Sequence, residues 1–223
     1  RYRPSWRLDR GIGSYGTPLE IMAGRLGNIP GIDEIVLLVP SDGDMDPLAE
    51  QAVALRIGVE RYESSGLKTK PWSASQERWH LESDIGTDTW AGTPIAATAA
   101  KHRWERLVLV PLENLLADRR GIVESLRLHA REGFDATFSE DRISGAGWTV
   151  LEAALVAGLQ TSHPDIMATR GGLAWAVREP LYPFRIGEYH APRHRPRLPV
   201  DLRLTCERVS RTLAARGDNA FAT

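Results

Sequence analysis

The first strong apolar run of the chain is Ile35-Val36-Leu37-Leu38-Val39, and a strand is predicted over Glu34 to Val39. A continuous run without polar alternation suits a strand covered on both faces, as in a parallel sheet. The acidic turn Ser41-Asp42-Gly43-Asp44-Met45-Asp46 follows it. Pro47 then suits the first turn of a helix capped by Asp46 and running to about Ile57, with a short strand at Val59 to Tyr62. Ahead of this unit, Leu19, Met22, Ala23 and Leu26 recur at helical spacing and predict a helix over Pro18 to Leu26.

Further along, an Ala-rich helix is predicted over Pro94 to Arg103 and a second buried strand over Leu107 to Val110. A long helix starting near Asp118 runs to Glu132, and a strand covers Phe134 to Ser139. Thr149 to Leu151 forms a short strand leading into a helix over Glu152 to Leu159. A last strand is expected at Leu202 to Thr205 and a last helix at Glu207 to Ala215. Two stretches break the alternation. Residues 63–93 are polar and carry Trp72, Trp79 and Trp90; they read as an insertion, either a flap over a site or a surface excursion pinned by its tryptophans. Residues 161–200 are rich in Pro, Arg and His and read as irregular. Alternating strands and helices predict one α/β domain over 1–223, with a mainly parallel sheet flanked by helices.

Composition narrows the functions open to such a domain. Its hydrophobic fraction of 42% is that of a globular protein with a core. The net charge of −1 gives no long-range attraction to nucleic acid or an anionic membrane. No apolar run approaches the roughly 20 residues of a membrane span. The one cysteine, Cys206, makes neither an internal disulfide nor a cysteine-based zinc site, which favours a cytoplasmic location. The basic start of the chain is not followed by the apolar stretch of a signal peptide.

Four stretches, in order, carry a resemblance. They are Ser5-Trp6-Arg7-Leu8-Asp9-Arg10-Gly11 with Gly16-Thr17-Pro18-Leu19; Ile32 to Val36 through Asp46-Pro47-Leu48-Ala49 to Gly58-Val59; Leu107 to Asp118; and Phe184-Arg185-Ile186-Gly187 through Asp201 to Thr205. Together the chain resembles the cytidylyltransferases that activate acidic sugars, above all the SpsF-like branch of the CMP-Kdo synthetase family. The resemblance implies the nucleotide-diphospho-sugar transferase (GT-A-like) architecture and transfer of CMP from CTP to an acidic sugar or similar acceptor, with release of pyrophosphate. It also implies a magnesium ion and a homodimer, with 161–200 as the dimerisation segment.

The chemistry needs a cationic, Gly-containing loop for the triphosphate and carboxylates for the metal. By the resemblance, Ser5, Arg7, Arg10, Gly11 and Ser41 fall at nucleotide-binding positions. Arg7 and Arg10 are the catalytic candidates, with solvated surface arginine as the alternative for both. Arg10 stands for the family's loop lysine in a shorter loop, and a planar fork is not a point charge. Glu113 falls at the family's metal-binding aspartate, preceded by Leu112 where the family has glycine. The family's further acids lie in a Gly-Leu-Asp-Val-Glu-Val stretch; the matching run, Gly145-Ala146-Gly147-Trp148-Thr149-Val150, has none. Trp148 either narrows the pocket or belongs to the core.

Two other patterns carry separate readings. Asp42-Gly43-Asp44 and Asp44-Met45-Asp46 have the Asp-x-Asp spacing with which GT-A glycosyltransferases hold a metal-bound sugar nucleotide; ordinary turn chemistry is the alternative. His190 and His194 lie four apart among Arg193, Arg195 and Arg197, but Pro192 and Pro196 oppose the helix a zinc pair would need. That segment reads as a basic loop facing an anionic sugar or a partner, or as a solvated charge run. Three functions stay open: a cytidylyltransferase, a catalytically degenerate relative that binds a ligand or partner, and a GT-A glycosyltransferase.

Overall fold

The computed structural model describes residues 16–67, 92–140, 147–178 and 184–190, apart from positions 42, 113, 116 and 170. The expected strand at Leu202 to Thr205, the helix at Glu207 to Ala215 and most of the 63–93 insertion lie outside these residues.

Helix α1 (Pro18–Leu26) begins where the sequence predicts. The Thr17 hydroxyl accepts from the Glu20 N–H at 3.3 Å, and the Glu20 carboxylate accepts from the Thr17 N–H at 2.6 Å. This reciprocal pair satisfies two donors that a helix start leaves open. Strand β1 (Val36–Pro40), helix α2 (Asp46–Ala54) and strand β2 (Gly58–Tyr62) follow, and β1 and β2 pair in parallel with Leu38 opposite Glu60. The Asp46 cap does not form. A turn of 3-10 helix over Gly43–Met45 runs straight into α2, so Asp46 is already helical and Met45 takes the cap position without a side-chain bond. A capping side chain needs extended backbone at its own residue. The Asp46 carboxylate instead meets Arg61 of β2 at 2.7 Å.

The second half comprises α3 (Gly92–His102), β3 (Arg106–Leu109), α4 (Arg119–Glu132), β4 (Ala136–Glu140), β5 (Thr149–Glu152) and α5 (Ala153–Ser162). Two short helices, α6 (Pro164–Met167) and α7 (Gly172–Arg178), and strand β6 (Ile186–His190) complete it. These last three correct the reading of 161–200 as irregular. The α6 and α7 helices are too short to show a period. In β6 only Gly187 and Tyr189 turn inward, so an inward glycine hides the alternation.

The strand order of this sheet is β3-β5-β4-β6. Strands β4 and β6 are parallel, while β5 is antiparallel to both β3 and β4. Three of the four strands thus share one direction and β5 alone is reversed. Leu107, Ala136, Phe138 and Leu151 face a core shared with Ile95 of α3, Val156 and Leu159 of α5, and Leu173 of α7. On the other face, Trp148, Val150 and Tyr189 meet Met22 of α1 and Ile122 of α4. Helices on both faces account for the continuous apolar runs.

The β1–β2 sheet joins this body at two levels. Leu38 packs against the first core, and Leu112, beyond β3, packs against the cluster of Leu19, Val39 and Leu48 as well as the Trp148 cluster. The lead-in to β1 is bonded to the turn before β3, where the Trp104 indole N–H donates to Glu34 at 2.8 Å. Side-chain contacts therefore tie β1 to the β3 side of the molecule near both of its ends.

Candidate functional site

The candidate site is the region where Ser41 leaves β1 of one sheet and, in the other, the 110–118 loop leaves β3 and Gly147-Trp148 enters β5. The loop is compact because its own backbone closes it: the Asn114 N–H donates to Pro111 O and the Ala117 N–H to Asn114 O, both at 2.9 Å. Asn114 is buried, and its side-chain amide donates to Gly147 O at 2.6 Å. This bond fastens the loop after β3 to the entry of β5. Asp118, also buried, caps α4 by accepting from the Gly121 N–H at 3.0 Å. A carboxylate here also complements the positive end of the helix.

Trp148 is a core residue, 3% exposed. Its backbone is pinned to β4: Ser139 Oγ accepts from the Trp148 N–H at 2.8 Å and donates to Trp148 O at 3.0 Å. Its indole N–H donates to Ser125 Oγ of α4 at 3.1 Å. The ring lies over the first turn of α4, so close that a Cβ on Gly121 would stand 2.5 Å from its Cη2 atom. Gly121 is thus required by close approach. On its other side the indole meets Tyr189 at 5.9 Å between ring centres. Tyr189 donates to Glu124 at 2.6 Å, and that bond, followed by Arg120, holds the Glu124 carboxyl below the usual carboxylate range. The choice left open for Trp148 is thereby decided in favour of the core.

Of the residues singled out in the sequence, Ser41 is described. It is exposed, and its N–H donates to Tyr62 O at 2.8 Å. Ser5, Arg7, Arg10, Gly11 and Glu113 lie outside the described residues, as do Asp42, His194 and Cys206. His190 ends β6, is exposed, and stands 3.9 Å from Glu188. In the acidic turn, Asp46 is engaged with Arg61. Among the described residues no group of three His, Cys, Asp or Glu side chains is placed to hold a metal ion. Gly147 and Thr149, where the family's two further acids would fall, are buried. Sequence reasoning did not select Asn114 or Ser125. A buried amide looks like any loop asparagine until its acceptor, 33 residues away, is folded against it.

A sheet with one reversed strand, covered by helices on both faces, with its loops gathered at the strand ends, is the α/β fold of the cytidylyltransferases. Solved structures of that fold match most of the chain. A cytidylyltransferase from Leptospira borgpetersenii serovar Hardjo-bovis (strain JB197) has a TM-score of 0.70 at 16% identity, covering 92% of this chain and 79% of its own. A CMP:2-keto-3-deoxy-manno-octonic acid synthetase complexed with CTP has a TM-score of 0.58 at 9% identity, covering 90% and 88%. The 4-diphosphocytidyl-2C-methyl-D-erythritol synthase of Anaerococcus prevotii DSM 20548 has a TM-score of 0.51 at 10% identity, covering 86% of both chains. No protein-family model matches the chain, and no curated protein matches its sequence. No helix among the described residues is long and apolar enough to cross a membrane.

Proposed function

We propose that this protein is a divergent nucleotidyltransferase of the cytidylyltransferase type, which transfers CMP from CTP to an acidic sugar or similar acceptor. The observation that carries the reading is the fold shared with three cytidylyltransferases over at least 86% of the chain. In the reaction an acceptor oxygen attacks the α-phosphorus, the bond from that phosphorus to the bridging oxygen breaks, and pyrophosphate leaves. Arg7 and Arg10 bind the triphosphate, with Ser5, Gly11 and Ser41 completing the nucleotide contacts. Glu113 is the proposed magnesium ligand. The protein works as a cytoplasmic homodimer joined through 161–200, which light scattering at defined concentrations tests.

A second reading has its own support. Gly147 and Thr149 are buried where the family carries its two acids. That favours a relative which binds a cytidine nucleotide without turning it over. Calorimetric titration with CTP, with and without magnesium, separates the two when paired with a pyrophosphate-release assay over a panel of acidic sugars. Magnesium-dependent binding with pyrophosphate release supports the transferase. Binding indifferent to magnesium, without release, supports the binding protein. No binding of CTP under either condition overturns both.

A further inference from the structure

His102, at the end of α3, has both ring nitrogens on carboxylate oxygens. Nδ1 lies 3.1 Å from Glu34 Oε2 and Nε2 lies 2.8 Å from Glu60 Oε1. A neutral imidazole has one N–H, so its second nitrogen would turn a lone pair toward a carboxylate. Only the imidazolium donates to both. Trp104 stacks on the ring at 4.7 Å between centres, and its own N–H donates to the same Glu34 oxygen. Lys101 bonds both oxygens of Glu60 at 2.8 Å. The charged groups facing the ring are thus Glu34 from the lead-in to β1, Glu60 from β2 and Lys101 from its own helix.

His129 provides the contrast within the same chain. It is buried, with Nδ1 2.8 Å from Thr137 Oγ1 and Nε2 2.9 Å from Glu152 Oε1. A hydroxyl can donate to one nitrogen while the other donates to the carboxylate, so the neutral ring satisfies both contacts.

The location of the His102 cluster gives it a consequence. Strands β1 and β2 form a sheet of their own, and β3 belongs to the other. The cluster crosses between them at the start of β1 and β3, while Ser41 and the 110–118 loop leave their far ends. We propose that His102 is a proton-controlled latch: as an imidazolium clamped by Glu34 and Glu60 it fixes the β1–β2 sheet to α3 and β3, and its deprotonation loosens that join. This latch does not depend on the proposed function.

The direction of the pH effect follows from linkage. The bond to Glu60, opposed by partial burial, and the charge of Glu34 leave the His102 pKa raised above its ordinary 6.5. A raised folded value means the stabilisation is fully present below the unfolded pKa and is lost as pH rises through the folded one. Glu60 is held low, first by its bond to Lys101 and then by that to His102, so its contribution is lost only as pH falls through its depressed folded value. The latch therefore holds in the window between the two.

The test is an NMR titration of the His102 Cε1–H resonance, assigned with His102→Asn, alongside amide exchange of β1 and β2 expressed as protection factors. The His102 midpoint should lie above that of the imidazoles in the urea-denatured protein. Glu60→Gln should move it down. Protection of the β1 and β2 amides in the wild type should fall as pH rises through the midpoint, and in His102→Asn it should be low at every pH. A wild-type midpoint at or below the denatured value overturns the proposal, and so does protection that does not change across it. The wild-type measurements decide the matter even where a variant fails to fold.

Discussion

Alanine at Gly121 tests the placement of Trp148 at the candidate site. Gly121 is the third residue of α4, where alanine should gain up to about 1 kcal/mol of helix propensity. Against that, the new Cβ would meet Trp148 Cη2 at 2.5 Å and Cζ2 at 2.9 Å, with Asp118 Oδ2 at 3.1 Å. Overpacking of a close contact costs about 1–3 kcal/mol. The clash wins, and Gly121→Ala should destabilise by about 1–2 kcal/mol. Trp148→Phe deletes the very atoms that clash, together with the indole donor to Ser125, and alone should cost about 2–3 kcal/mol. In that background Gly121→Ala should be neutral or stabilising. The double mutant should therefore be more stable than the sum of the single effects by about 1–3 kcal/mol. Urea unfolding followed by far-UV circular dichroism measures the cycle, because the midpoint shifts while the slope stays constant. Additivity within about 0.5 kcal/mol would refute the packing of the indole on α4 and reopen Trp148 as a residue facing a ligand.

Other perturbations read out the same region. Asn114→Ala should cost about 1–3 kcal/mol, because Gly147 O loses its buried donor; thermal unfolding checks this. Asp118→Ala removes the cap of α4 and should cost about 1 kcal/mol by the same measurement. Burial, opposed by the bond to Glu152, lowers the His129 pKa below its ordinary value. Its neutral form therefore contributes stability above the unfolded pKa of about 6.5, and that stability is lost as pH falls toward the folded value. Urea midpoints across this range should fall on acidification in the wild type and fall less steeply in His129→Gln.

Much of the fold was legible because it rests on local patterns. The Ile35-to-Val39 run, the helical spacing of Leu19, Met22 and Leu26, and Asp118 ahead of a helix each yielded an element within a few residues of the structure. Where the reading failed, a neighbour in space or a short length was the cause. Asp46 was taken from its capping role by the turn before it and meets Arg61 across a strand. The α6 and α7 helices and β6 are short elements held by packing, with Met167, Leu173, Val177 and Tyr189 buried in the core. The resemblance could name positions for nucleotide contacts, but it could not say which residues the fold would fasten together there.

The α/β class, the order of the main elements and the absence of acids from the Gly145-to-Val150 run are all written locally, because period, capping and residue identity are properties of neighbours along the chain. Tertiary structure alone decided the reversal of β5, the burial of Trp148 against Gly121 and the clamp of Asn114 on Gly147. It also decided the opposite surroundings of two histidines that look alike in the sequence, one between two carboxylates and one between a hydroxyl and a carboxylate. Each of these depends on side chains or strands tens of residues apart in the chain, and only the folded core brings them within bonding distance.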